Sequence, residues 1–293
     1  MERRNLEPGK RLYKGNLHTH TTVSDGALSP SDALRWYRDH GYDFVALTDH
    51  WRVAEPVSDA GVLVVEGVEF DGEDPELGQY HLVGLDLRES SPKGTFPTLA
   101  SSAEFILERG SLAVLCHPYW CGMSSWAVER SNGVFAVEVF NSTCEIHIAK
   151  GLSSVHWDDA LARGRRFWGL AVDDTHWHRP DAGGGWVMVQ AESLSAQAIM
   201  KALEAGRFYS SSGPYIEDFV VTNKKAYART SPARRIAFVC DNHHGHCCYG
   251  SDCESGSLVE GDYALPDTVT YVRLEVDDKD GKRAWSNPIY LRD

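Results

Sequence analysis

From Tyr13 to about Gly213 short apolar runs alternate with amphipathic stretches, and this alternation limits the possible folds more than any other feature of the chain. Strands that alternate with helices build a mostly parallel α/β sheet, because each helix carries the chain back to where the next strand starts. Strands are expected at 44–48, 62–65, 81–85, 112–115, 134–140, 168–172 and 186–189. Helices are expected at 98–109, 157–163 and 195–205. One more helix lies between Ser29 and Gly41: Ser29 offers a cap, Pro30 suits the first turn, and Asp32 opposes the positive end of the dipole. Ala33, Leu34 and Tyr37 share its apolar face, and Gly41 stops it.

After Ser212-Gly213-Pro214 the helical pattern ends. Runs at 216–221, 236–240, 271–276 and 287–291 read as strands separated by turn residues, as in a small antiparallel β domain. The expected division is an α/β domain over residues 12–213 and a β-sandwich-like domain over 214–293. At 293 residues, with 42% hydrophobic and 24% charged residues, the chain has enough apolar material for both.

Residues able to bind metal recur where these strands end. His18 and His20 follow Leu17, Asp49 and His50 follow Thr48, and Glu66 and Glu69 follow the run at 62–65. His117 follows Leu115, while Asp173, Asp174 and His176 follow 168–172. Functional groups in parallel sheets collect at the carboxyl ends of strands. Any one of these pieces is common by chance; five strand ends carrying them together are not. His-x-His on an extended segment turns both imidazoles to one side, since side chains alternate with a period of two, and Asp174-x-His176 repeats the device. Imidazoles mixed with carboxylates suit Mn, Fe or Zn, and the expected chemistry is hydrolysis by water activated between ions.

The motifs Asn16-Leu-His-Thr-His, Ser24-Asp25-Gly26, Leu47-Thr48-Asp49-His50, Gly67-Val68-Glu69, His81-Leu82-Val83-Gly84, Cys116-His117-Pro118 and Val172-Asp-Asp-Thr-His176 resemble, in order, those of the PHP (polymerase and histidinol phosphatase) superfamily of phosphoesterases. The resemblance implies a distorted seven-stranded α/β barrel holding two or three divalent ions. By motif, His18, His20, Glu69 and Asp174 would bind the first ion. Glu69 would bridge to a second held by His81 and His117, and Asp25, His50 and His176 would hold a third. Cys116 departs from the small residue usual there and reads as a packed, hydrophobic cysteine. Glu66 and Asp173 adjoin ligands and read as supporting residues.

The segment from Gly183-Gly-Gly-Trp to Ser212-Gly213-Pro214, with the β domain after it, resembles the subgroup that includes carbaryl-hydrolase-type enzymes, some of which cleave carbamates or carboxylic esters. A phosphate substrate needs fixed cations besides the ions. Arg52, Arg179 and Arg207 lie near the motifs, Arg179 being first choice, with Lys150 a weaker candidate; His178 is placed to protonate a leaving group. The expected partner is a small-molecule phosphate ester. The formal charge of −13 disfavours a nucleic-acid backbone. The chain shows no apolar stretch long enough to span a bilayer, its first residues have no apolar core, and its seven cysteines make no disulfide framework. A cytoplasmic location is therefore expected. Cys240, His243, His244, His246, Cys247, Cys248 and Cys253 match no closed zinc spacing and are expected on a polar hairpin loop.

Overall fold

A computed structural model describes residues 2–55, 57 and 61–292. The strands, in chain order, are β1 (Arg3–Arg4), β2 (Tyr13–Asn16), β3 (Phe44–Leu47), β4 (Leu63–Asp74), β5 (Gly78–Leu85), β6 (Leu112–Leu115), β7 (Ala136–Asn141), β8 (Trp168–Val172), β9 (Trp186–Val189) and β10 (Phe208–Ser211). They continue with β11 (Ile216–Thr222), β12 (Lys225–Ala233), β13 (Arg235–Cys240), β14 (Gly245–Tyr249), β15 (Leu258–Ala264), β16 (Tyr271–Asp277), β17 (Arg283–Ser286) and β18 (Ile289–Tyr290). The helices are α1 (Pro30–Asp39), α2 (Leu99–Glu108), α3 (Pro118–Cys121), α4 (Ser125–Arg130), α5 (Ser142–Ile148), α6 (Ser154–Ala162) and α7 (Ala196–Glu204). Among the described residues no helix is long and apolar enough to cross a membrane.

Helix α1 forms as its sequence dictates. Ser29 Oγ accepts from Asp32 N, Pro30 opens the first turn, and Ala33, Leu34 and Tyr37 are buried. Helix α2 starts with a capping box in which the Thr98 and Ser101 side chains serve each other's backbone N–H. All four residues of β3 are buried, as expected of a strand covered on both faces.

Two sheets result. The large one has 14 strands in the order β14-β13-β16-β17-β10-β9-β2-β3-β4-β5-β6-β7-β8, with β18 on β16. It is mixed where mostly parallel pairing was expected: β2–β3–β4 and β6–β7–β8 pair in parallel, but β5 runs antiparallel to both neighbours. The reason is local. The strand expected at 62–65 runs on to Asp74 and returns directly as β5 through a tight turn whose Gly78 has φ +84°, so no helix intervenes. Beyond the ends of β2 and β8 the chain is bridged again between Thr19 and Thr175.

The strands after Pro214 fall into both sheets. β13, β14, β16, β17 and β18 extend the large sheet through the β10–β17 pair, and β11, β12 and β15 join the N-terminal β1 in a second, four-stranded sheet. Phe219, Val221, Phe238, Val272, Leu274 and Val276 fill a common core for these strands. The Cys/His-rich stretch is a hairpin, as expected, but a more ordered one: His246, Cys247 and Cys248 lie in β14, paired with β13.

Arg273 on β16 is fully buried and ties this region to α6. Its guanidinium makes three contacts of 2.7–2.9 Å to the Asp158 carboxylate, donates to Glu275 Oε1 at 2.9 Å and lies 4.5 Å over the Trp157 ring.

Candidate metal centre

The proposed ligands reach one place because neighbouring strands end at different levels. His18 and His20 lie just past β2, held by backbone bonds from Asp174 N to His18 O and from His20 N to Thr175 O. His50 lies past β3 and is bridged to Glu69. Glu69 and His81 are inside strands, contrary to the strand-end placement expected for Glu69. They still reach the site because β4 and β5 overrun their neighbours: His81 accepts through its carbonyl from Cys116 N, next to His117. His117 and Asp174 have φ of 28° and 56°, left-handed values that turn both side chains off their strands. Gly26 lets the Asp25 loop close, since a Cβ there would stand 2.7 Å from the His20 carbonyl.

Three donor groups follow. His18 Nε2 and His20 Nε2 each lie 3.1–3.3 Å from Glu69 Oε2 and Asp174 Oδ1. The other Glu69 oxygen faces His81 Nδ1 at 2.8 Å and His117 Nε2 at 3.5 Å, so one carboxylate addresses two groups. Asp25 lies 3.5 Å from His20 Nδ1 and His176 Nε2 and 3.8 Å from His50 Nε2. Within each group the donor atoms are no more than 4.8 Å apart. An imidazole has one free lone pair, so His20 can serve the first group or the third, not both.

The donor set fits divalent ions. Asp174 Oδ1 is buried and makes no hydrogen bond, although two imidazole nitrogens stand within 3.2 Å; the three atoms converge on a common point. A buried carboxylate oxygen without a partner is costly unless something cationic meets it. The back of His18 has the support usual for a ligating imidazole: Nδ1–H donates to Glu138 at 2.7 Å, which leaves Nε2 as the acceptor facing the group.

Electrostatics point the same way. Burial opposes a charge on His20, but the Asp174 and Glu69 carboxylates beside it outweigh that penalty and raise its pKa to about 9. His18 is raised well above the usual range against the same burial penalty, by Asp174, Glu69 and Glu138. Glu69 and Asp174, though buried, are held far below the carboxylate range by the surrounding imidazoles. For His50 burial prevails and lowers the pKa. Loading His18 and His20 with an ion must therefore displace protons that the neighbouring carboxylates favour.

Sequence reasoning missed Glu138. It sits in β7 and also accepts from His117 N and Asn141 Nδ2, both at 2.9 Å, so it braces ligands of two groups. The available signal was one acid inside the apolar run 134–140. Replacing Glu138 with alanine should weaken metal binding roughly 10- to 100-fold in a chelator competition titration, with the fold retained. Unchanged affinity would count against its bracing role. Asp173 turns away from the three donor groups and accepts from Tyr37 Oη, Gly183 N and Gly185 N. Glu66 pairs with Arg88.

The cavity over the groups has a volume of about 330 Å³ and is lined by Asp25, His50, Glu69, His81, His117, Trp120, Thr143, Cys144, His147, Asp174, His176 and His178. The arginines fall elsewhere. Arg207 precedes β10, whose Phe208 pairs with Val189, which in turn pairs with Tyr13 at the start of β2. Arg207 therefore lies at the end of the strands opposite His18 and cannot meet a substrate there. Arg179 is exposed and does not line the cavity; its neighbour His178, also exposed, lines the rim, its Nε2–H donating to Asp25 O at 3.0 Å. Lys150 does not line it either, and lies over the Tyr119 ring. Arg52 and Lys93 line an adjoining cleft of about 520 Å³ that shares Asp25 and His50.

No family model matches the chain. A two-domain protein of Bacteroides vulgatus ATCC 8482, described as containing a PHP-like metal-dependent phosphoesterase, superposes on 98% of this chain and 99% of its own with a TM-score of 0.56 at 16% identity. A metal-dependent phosphoesterase-type protein of Bifidobacterium adolescentis matches 68% of this chain and 98% of its own, with a TM-score of 0.47 at 15% identity. A 5'-3' exoribonuclease of Haemophilus influenzae is 30% identical over 107 residues, which are 34% of this chain and 38% of that relative. The chain thus spans well under half the length of the curated relative it matches. The two-domain PHP-like protein fixes the class of fold: the chain has the α/β architecture with a large mixed sheet found in that protein.

Proposed function

We propose that the chain is a PHP-type metal-dependent hydrolase that cleaves a phosphate ester of a small molecule, with Mn, Fe or Zn in a site of two or three ions. The observation that carries this reading is the unpartnered, buried Asp174 Oδ1 facing His18 and His20. The first ion is assigned to His18, His20, Glu69 and Asp174, the second to Glu69, His81 and His117, and the third to Asp25, His50 and His176. Strands β2 to β8, rejoined through Thr19 and Thr175, are proposed as the seven-stranded barrel within residues 12–213, with 214–293 as a β module beside it.

When bound, the ions would polarise the ester and lower the pKa of water between them. The chain's own residues do the rest. Glu69 holds two groups in register, Glu138 fixes the orientation of His18, and Asp173 anchors the 183–185 turn. Trp120 walls the cavity against solvent, and His178 at its mouth is positioned to give a proton to the leaving oxygen. Arg52 and Lys93 take the role first given to Arg179, meeting phosphoryl charge from the adjoining cleft. The nucleic-acid substrate named for the Haemophilus influenzae relative is disfavoured by the net charge of −13.

A carbamate or carboxylic ester hydrolase of the carbaryl-hydrolase type is the second reading. It is favoured by the absence of Lys and Arg, among the described residues, from the cavity lining. A panel of p-nitrophenyl esters separates the two. Phosphate esters should be hydrolysed faster than carboxylates, and Arg52→Ala should lower phosphatase efficiency by roughly one to two powers of ten while sparing carboxylesterase activity. Carboxylate turnover alone, in metal-loaded protein, would replace the first reading with the second.

A further inference from the structure

At the end of the strands away from the metal centre, where β2, β8 and β10 begin and β9 finishes, lies a cleft of about 800 Å³. One wall is the N-terminal segment with Arg4, Lys10 and Arg11, and the other is the turn between α7 and β10 with Arg207. Gln190, 6% exposed, staples the N-terminal segment to the end of β9: its Oε1 accepts from Glu7 N at 2.8 Å and its Nε2 donates to Glu7 O at 2.9 Å. The Arg207 backbone is fixed from both sides. Gln190 N donates to Arg207 O at 2.9 Å, and Asn287 Nδ2 donates to the carbonyls of Gly206 and Phe208 at 3.1 and 3.2 Å. Gly206 has φ +69°, and a Cβ there would stand 2.7 Å from the Trp168 ring, so the indole packs directly on this turn.

The charges in this frame are poorly matched. Arg207 Nε is buried without a hydrogen-bond partner, and among the described residues neither Arg207 nor Lys10 forms an ion pair. A buried guanidinium N–H without an acceptor is costly. Arg11 meets only Asp43, at 3.6 Å, and is exposed, whereas Arg4 is engaged by Glu2 and Asp218. Two acids, Glu7 and Glu192, line the cleft against these four cations. The cleft thus holds a local excess of positive charge in a chain whose formal charge is −13.

We propose that this cleft binds the phosphate group of a small molecule, with the Arg207 guanidinium as the fork that grips its oxygens and Lys10 as a second charge. The site stands apart from the metal centre and is independent of the reaction assigned there. The space exceeds what free phosphate would fill, so the occupant is a phosphorylated molecule, and half-buried Trp168, packed on the Arg207 turn, offers its organic part an aromatic surface.

Isothermal titration of the metal-loaded full chain tests the assignment with three probes: inorganic phosphate, a phosphonate analogue of AMP that cannot be hydrolysed, and adenosine. The parent should bind the analogue at one site more than Arg207→Gln does. That site should be at least roughly tenfold weaker for inorganic phosphate and closed to adenosine. Lys10→Ala should weaken it several-fold. Glutamine keeps much of the arginine's bulk but not the charged fork, so melting temperature and metal content of the variant should match the parent's. If Arg207→Gln does not fold, Lys10→Ala, on the exposed N-terminal segment, carries the test. Phosphate bound as tightly as the analogue would make free phosphate the occupant of the same residues. Equal stoichiometry in parent and Arg207→Gln, or a site that takes adenosine as well as it takes the analogue, would overturn the phosphate site.

Discussion

Asp174→Asn is expected to leave a folded protein whose phosphoesterase activity is lower by roughly three powers of ten. Oδ1 faces His18 and His20 and Oδ2 accepts from Asn141 Nδ2, so the substitution removes the carboxylate charge from the proposed first ion position. Ions contribute several kcal/mol to stabilising a phosphoryl transition state, and each 1.36 kcal/mol is a factor of ten in rate. Asparagine is the informative replacement because residue 174 has φ 56°, a conformation that Asn tolerates and Ala does not. The backbone is then left unstrained, and a loss of activity reports on the carboxylate. Melting curves taken with chelator present should superpose for variant and parent. Full activity in the variant would remove Asp174 from the centre.

The second large effect is on stability. Arg273→Met should destabilise the protein by about 3 kcal/mol and lower its melting temperature by roughly 10 °C, because it leaves Asp158 without its partner and takes one of two arginines from Glu275, which keeps Arg283. The proposed ligands lie on other elements, so metal content per folded chain should not change. A melting temperature within a degree or two of the parent would show that the Asp158–Arg273–Glu275 group is not what fastens β16 to α6.

Much of the candidate centre was legible in the sequence because the placing of donor pairs on extended segments is a local matter. His18 and His20, or Asp174 and His176, are two residues apart and so share a side of the chain whatever the rest of the fold does. The strands at 112–115, 168–172 and 186–189 and the helix after Ser29 were legible for the same reason: apolar runs and a cap lie within a few residues. What depended on partners distant in sequence was not. The polar stretch Asp71-Gly72-Glu73-Asp74 carries no apolar alternation, yet it is strand because β5 folds back to pair with it. β12, β14 and β15 have mostly half-exposed, polar sequences and exist through their neighbours. Arg207 stands close in sequence to site segments but at the wrong end of its strand, a matter of strand direction. Glu138 lies on a strand already recognised, and only the arrangement of β7 against β6 and β8 brings it to His18 and His117.

The central claim is that these side chains form a working metal centre, and removing the metal tests it most directly. Protein purified without added metal, dialysed against a strong chelator and verified by elemental analysis, should lose its hydrolysis of p-nitrophenyl phosphate. Adding back Mn, Fe or Zn should restore it together with two or three bound ions per chain. Turnover that continues undiminished in protein shown to be metal-free would contradict the account.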